Sequence, residues 1–208
     1  MSVRVVEAVV SLGNRELAVL RPRDGEALLD DAAFGHEEFL PYWAELWPSG
    51  LALARAVSAR DLRGLRAVEL GSGLALPSIA AALGGADVLA TDWSPEAVAL
   101  ASWNARRNGA RVTTAICDWN APARLLADTP WDLVLASDVL YERRNADALL
   151  ALLPRLVDER TTVLLGDPGR PAAEGFLTAA LERWKVEAVR ADPAVRASVH
   201  RLTLRRAA

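Results

Sequence analysis

Glu69, Gly71, Ser72 and Gly73 close an apolar stretch at residues 67–70 and precede a run of helical spacing at 77–83. Two glycines at such a junction let the chain turn tightly and bring backbone amides near a ligand at the next helix start. Asp92 ends the following apolar stretch, residues 87–91, and lies 21 residues after Gly71. A carboxylate at that spacing suits a ribose diol, whose neighbouring hydroxyls donate to its two oxygens. A tight connection alone would account for the glycine pair, and a cap on the helix begun by Ser94 would account for Asp92. With both features in register, a nucleoside site is the stronger reading. It is not a dinucleotide fingerprint, because Leu76 stands where that motif needs glycine or alanine.

Further polar residues follow the same rhythm. Asp118 and Trp119 come directly after an apolar stretch at 111–117, and Ser137 and Asp138 lie at and just beyond the end of another at 131–137. If these stretches are parallel strands, all these residues share one rim. Asp118 can accept from an adenine amino group or cap the segment after it, and the residues do not choose between the two. Trp93 or Trp119 offers a ring face. Trp103, in a helical run, and Trp131, before an apolar strand, are expected in the core.

The elements that must position these groups can be read in order. Residues 3–11 and 16–20, split by Leu12, Gly13 and Asn14, read as a hairpin, and residues 24–31 as a short helix. Pro48 takes a first helical position ahead of Leu51, Leu53, Ala54 and Val57. Strands are expected at 67–70, 87–91, 111–117, 131–137 and 161–165. Helices are expected from Ser94 to the Asn108–Gly109 stop, at 145–157 and at 171–182. Alternation at 185–190 and 198–205 predicts a closing antiparallel pair. The fold class is α/β: a Rossmann-like, mostly parallel seven-stranded sheet with one antiparallel strand and helices on both faces. One domain is expected, with residues 1–46 as an N-terminal extension and 47–208 as the core.

Composition narrows the setting. The chain has 208 residues, 52% of them hydrophobic, enough for one core and too many for disorder. One cysteine, Cys117, and two histidines argue against an intramolecular disulfide or a structural zinc, and no metal site is expected. There is no apolar run long enough to span a bilayer and no secretory pattern after Met1, so a cytoplasmic setting is expected. Net charge is −3, against a dedicated nucleic-acid binder. Seven acids and no Lys or Arg fall between Asp24 and Trp47. That stretch either faces the rim and attracts a lysine-rich partner or is a solvated helix face. Only Lys185 among 24 basic residues is a lysine, which reflects composition bias.

With these residues in view, the chain resembles the seven-β-strand class I methyltransferases that use S-adenosylmethionine. An acid two residues before the first glycine, here Glu69, belongs to that pattern, and Ala75 departs from its usual third glycine. Residues 41–50, containing Trp47 and Pro48, resemble the segment leading into the domain in the protein-lysine methyltransferase group. Asp138, Val139, Leu140 and Tyr141 match that group's Asp-x-x-Tyr motif. Residues 166–171, Gly-Asp-Pro-Gly-Arg-Pro, are similar to a loop of the group acting on the electron-transfer flavoprotein β subunit. The resemblance implies Asp138 and Tyr141 as catalytic residues. It implies cofactor contacts from Trp47, Glu69, Gly71, Ser72, Gly73, Asp92, Trp93, Asp118, Trp119 and Ser137.

The chemistry so implied is displacement at a methyl group by a neutral amine held in line. A free lysine has a pKa of about 10.4, so its proton must leave first. One acceptor beside an apolar aromatic wall suits that task, and Asp138 with Tyr141 supplies the pair. His36 and His200 sit in no recognisable catalytic context. The expected function is protein-lysine N-methylation, with the electron-transfer flavoprotein β subunit as first candidate substrate. The alternatives are a small-molecule N- or O-methyltransferase on the same fold, a non-catalytic nucleotide-binding module and, weakest, a dehydrogenase.

Overall fold

In the computed structural model, residues 4–23, 42–189 and 195–205 are described here. The helix expected at 24–31 and most of the acidic stretch lie outside them. Two strands, β1 (Val5–Ser11) and β2 (Glu16–Pro22), pair antiparallel as a hairpin. A single 3₁₀ turn at Tyr42–Ala44 leads into α1 (Pro48–Ser58). Then β3 (Arg66–Leu70), α2 (Leu76–Leu83), β4 (Asp87–Asp92), α3 (Pro95–Arg107) and β5 (Val112–Ile116) alternate. They are followed by α4 (Ala123–Leu126), β6 (Leu133–Ser137), α5 (Arg143–Leu156), β7 (Thr162–Asp167) and α6 (Pro171–Ala180), and by β8 (Trp184–Val189) and β9 (Ser198–Leu204).

Seven strands form one sheet in the order β5-β4-β3-β6-β7-β9-β8, with β9 antiparallel to both neighbours. The central strands are buried almost end to end, as parallel strands covered on both faces must be. Helices α1, α2 and α3, with the hairpin, bury their apolar residues on one face, and α4, α5 and α6 bury theirs on the other. Proline in the first turn starts α1, α2, α3 and α6, where its missing N–H breaks no helical bond. The strand order reverses between β3 and β6. Their carboxyl ends therefore open a crevice, the place where ligands bind in such sheets.

Several boundaries differ from the expectation. β7 runs on through Gly166 and Asp167, which the sequence assigns to a loop, because both still pair with β9. The turn at Tyr42–Ala44 and α4 were not anticipated. Trp131 is buried as expected, its Nε1 donating to the Leu125 carbonyl at 3.0 Å. Trp103 is not a core residue: it is 65% exposed. Ala97, Ala101, Asn104 and Ala105 form the buried face of α3, and Trp103 falls out of phase with them.

That buried Asn104 has a structural task. Its Oδ1 accepts from Leu20 N at 2.8 Å while Nδ2 donates to the carbonyls of Leu20 and Leu74. One helical turn on, Asn108 makes the same pair of bonds to Ala18. Two amides at i and i+4 thus satisfy the open edge of β2, which would otherwise present bare backbone groups. The bond to Leu74 ties this edge to the glycine turn.

Candidate active site

The turn after β3 needs glycine for two reasons. Gly71 and Gly73 have φ of +66° and +48°, and a Cβ on Gly71 would lie 2.9 Å from Val139 Cγ1. One on Gly73 would lie 3.1 Å from the Trp43 carbonyl oxygen. Ala75 is also left-handed, at φ 61°, and fully buried. Its methyl group costs about 1–2 kcal/mol there, the physical content of the departure from a third glycine.

Asp92, at the end of β4, holds this turn from the side. Its Oδ2 accepts from Gly73 N at 2.9 Å and its Oδ1 from Ser94 N at 3.1 Å. The capping role and a ligand role therefore coexist, since each carboxylate oxygen keeps further acceptor capacity. Burial pushes the Asp92 carboxyl above its ordinary value, against the pull of these amides. Ser94 caps α3 as expected, its Oγ accepting from Ala97 N. Asp118 forms a local turn, accepting from the backbone and side-chain amides of Asn120.

One cavity of about 510 Å³ gathers the rim, a size within the range of small-molecule sites. Trp47, Gly71, Ser72, Gly73, Asp92, Trp93, Asp118, Trp119, Ser137, Asp138 and Tyr141 all line it. Ser72 Oγ is buried without a hydrogen-bond partner. A buried hydroxyl at a cavity wall calls for a polar group from outside the chain.

Glu69 is the exception among the expected cofactor contacts. It does not line the cavity but lies fully buried beneath the turn, its Oε2 accepting from both N and Oγ of Ser78. It braces the start of α2 rather than facing the cavity. Burial raises its pKa to about 8, the Ser78 bonds opposing this and the neighbouring Asp92 adding to it. A raised carboxyl pKa means the folded state holds the proton more tightly than the unfolded one. The contribution of Glu69 to stability is thus fully present below about 4.5 and is lost as pH rises towards about 8. Glu69→Gln, neutral and of equal shape, should remove this loss. Melting curves at pH 6 and pH 9 test it: the variant should gain on the parent at the higher pH, and parallel curves would contradict the assignment.

Asp138 sits just beyond β6 with φ 56°, an uncommon backbone state that Asp and Asn tolerate best. It is buried, and both its oxygens are engaged. Oδ2 accepts from Ser49 Oγ at 2.6 Å, while Nε and Nη2 of Arg170 both lie 2.6 Å from Oδ1. Around this pair stands a wall of rings. Tyr42 lies 5.1 Å from Tyr141 and 6.4 Å from Trp47, whose Nε1 donates to the Tyr42 carbonyl. The Arg170 guanidinium covers the Trp47 ring at 5.5 Å. The expected pair of acceptor and ring is present, and the carboxylate is already paired with a cation. Burial raises the Tyr141 phenol, which stays neutral.

Reasoning from sequence did not assign roles to Tyr42, Ser49 or Arg170, although all three fall inside motifs it singled out. A serine in the first turn after Pro48 and an arginine closing Gly-Asp-Pro-Gly-Arg were the available signals. Trp103 and Trp131 are not among the residues that line the cavity.

Sheet order and the glycine turn after the first parallel strand are those of the class I methyltransferase fold. The chain belongs to the lysine methyltransferase family, whose model matches residues 42–183. It is 38% identical over 135 residues to the electron transfer flavoprotein beta subunit lysine methyltransferase of Xenopus laevis, covering 62% of this chain and 53% of that protein. It is 32% identical to the protein N-lysine methyltransferase METTL21A of Danio rerio over 72% of each chain. The chain spans about half the length of the flavoprotein-directed relatives it matches. Among solved structures, the 16S rRNA methyltransferase RsmC of T. thermophilus aligns with a TM-score of 0.67. That alignment has 16% identity and covers 99% of this chain and 52% of that one, a likeness of fold.

Proposed function

We propose that the chain is an S-adenosylmethionine-dependent protein-lysine N-methyltransferase whose substrate is the electron-transfer flavoprotein β subunit or a protein like it. The observation that carries this reading is the rim at the end of β6. There a buried carboxylate and two tyrosine rings stand beside a nucleoside-sized cavity. The names of the similar proteins support the choice of acceptor.

Within this reading each residue has a physical task. Bound S-adenosylmethionine supplies a methyl group activated by a sulfonium. Asp92 accepts from the ribose diol, the amides of the glycine turn approach the ligand closely, and Trp93, Trp119 and Trp47 offer ring faces. Asp118 and Ser137 add polar contacts on the same wall. Tyr42 and Tyr141 shape an apolar mouth that disfavours the ammonium form of an entering lysine. Asp138 accepts from one of the two N–H groups of the neutral amine and holds the nitrogen in line. A cytoplasmic setting belongs to the same reading and rests on the chain's single cysteine.

The test is methylation of the recombinant β subunit from the same organism, followed by peptide mass spectrometry. One or more methyl groups on a lysine side chain are expected, dependent on the cofactor. Methylation confined to another residue type, or none on the β subunit, would overturn the assignment of acceptor.

A further inference from the structure

Arg170 reaches Asp138 from an independent element, and the loop that carries it is built to aim it. Asp167, the last residue of β7, accepts from the backbone amides of Gly169 and Arg170 at 2.6 and 2.8 Å. This closes the loop and fixes the arginine's starting direction. The guanidinium then lies between the Trp47 ring and Asp138 Oδ1. Its donors take two acceptor positions of the carboxylate and Ser49 Oγ takes a third. A carboxylate offers about four such positions, so one remains for an amine N–H.

We propose that Arg170 is a positioning residue for methyl transfer, which fixes the Asp138 carboxylate on Ser49 and offsets its charge so that the entering lysine, having released its ammonium proton to solvent, is held as the neutral amine. This rests on the lysine methyltransferase reading above. A bare buried anion would favour the ammonium form, which cannot attack, and would work against the displacement it is meant to assist. Paired with a guanidinium, the same carboxylate keeps its geometry as an acceptor and loses most of its hold on a positive charge.

The surroundings make such an offset necessary. Asp92 from β4 and Asp118 after β5 line the same cavity and accept from amides. Glu142 and Arg144 at the start of α5 pair with each other, and Glu45 before α1 pairs with Arg21. Tyr42 and Tyr141 are the phenols of the mouth. Burial raises the Asp167 carboxyl of β7, with Asp138 adding to the rise and Arg170 opposing it, and burial lowers His200 on β9, which Asp167 partly opposes. Asp92 and Asp118 accept from amides rather than from a guanidinium and so favour the ammonium, whereas Glu45 and Glu142 are offset by their arginines. Arg170 is the cation bound directly to Asp138.

Single-turnover methylation of the β subunit across pH, with parent, Arg170→Gln and Arg170→Lys, tests this. Arg170→Gln should shift the acid limb of the rate profile upward by roughly one unit. Its rate below that limb should fall about tenfold, with the defect shrinking as pH rises. Arg170→Lys keeps the charge and should keep the parent's limb, at a lower rate because the fork is lost. S-adenosylhomocysteine affinity, measured on the same preparations, should stay near the parent's for both. Melting temperature should fall for Arg170→Gln, which leaves Asp138 buried without its cation, and fall less for Arg170→Lys. A glutamine variant with an unmoved limb, whether at the parent rate or uniformly slower, overturns the proposal. If Arg170→Gln melts below the assay temperature, Arg170→Lys decides, and a displaced limb there overturns it. A parent that leaves the β subunit unmethylated fails the functional reading itself and this proposal with it. An active parent with unmoved variants fails only this one.

Discussion

Asp138→Asn should lose most methyl transfer to a lysine-bearing protein while binding S-adenosylmethionine nearly as well as the parent. Asn is the cleaner substitution because the backbone at this position has φ 56°, which Asn adopts at less cost than Ala. The amide cannot accept from both Ser49 and Arg170, and its NH₂ faces one of these donors, so the acceptor for the amine is lost. That contact strengthens as the transition state forms, so the loss should fall on kcat rather than on KM. A reduction of about 10²–10³-fold is expected, the usual effect of removing one preorganised polar group from a transition state. Stability should fall by about 1–3 kcal/mol. This is less than for breaking a fully buried ion pair, because Arg170 keeps 31% of its side chain in solvent. Turnover, S-adenosylhomocysteine affinity and melting temperature should be measured on one preparation. If melting temperature and cofactor affinity collapse together, Asp138 is a structural cap, and if turnover is unchanged it has no part in the reaction.

Asp92→Asn should weaken S-adenosylmethionine binding by an order of magnitude or more. A hydrogen bond to a charged group contributes roughly 1.5–3 kcal/mol, and each 1.4 kcal/mol is tenfold in affinity. Asp92 also accepts from Gly73 N and Ser94 N, so Asp92→Ala removes the brace of the glycine turn as well as the diol acceptor. The alanine variant should therefore lose both affinity and melting temperature. The asparagine variant, which keeps one of the two amide bonds, should lose affinity with a smaller drop in melting temperature. Calorimetric titration with S-adenosylhomocysteine separates the two effects. Parent-like affinity in a folded Asp92→Asn would place the ribose elsewhere on the rim.

Much of this frame was legible in the chain itself. The strands β3, β4 and β6 are short buried runs, and Ser94 with Pro95 marks the start of α3 through local chemistry alone. Gly71 and Gly73 could be read because a tight turn after a strand is a property of neighbouring residues. Asp92 could be read because strand and helix lengths fix where the second strand ends. Family resemblance pointed to Asp138 and Tyr141, and the rim places them together.

Other features depend on residues far apart in the chain. Trp103 lies in a helical run like any core tryptophan, and only the packing of α3 against β2, β4 and β5 turns it outward. Asn104 reads as a polar residue in a helix until the edge of β2 is laid beside it. Glu69 carries the family's acid, yet the start of α2 folds over it and turns a cofactor contact into a buried brace.

The sequence by itself determined the α/β class, the glycine turn, the place of Asp92 at a strand end and the rim, because periodicity, turn chemistry and strand length act over a few residues. Only the tertiary structure decided the state of the acceptor. Ser49 and Arg170 lie 89 and 32 residues from Asp138 along the chain. Whether a carboxylate meets its substrate as a bare anion or as half of an ion pair depends on which distant donors the sheet and its loops bring within 3 Å, and no local pattern encodes that distance.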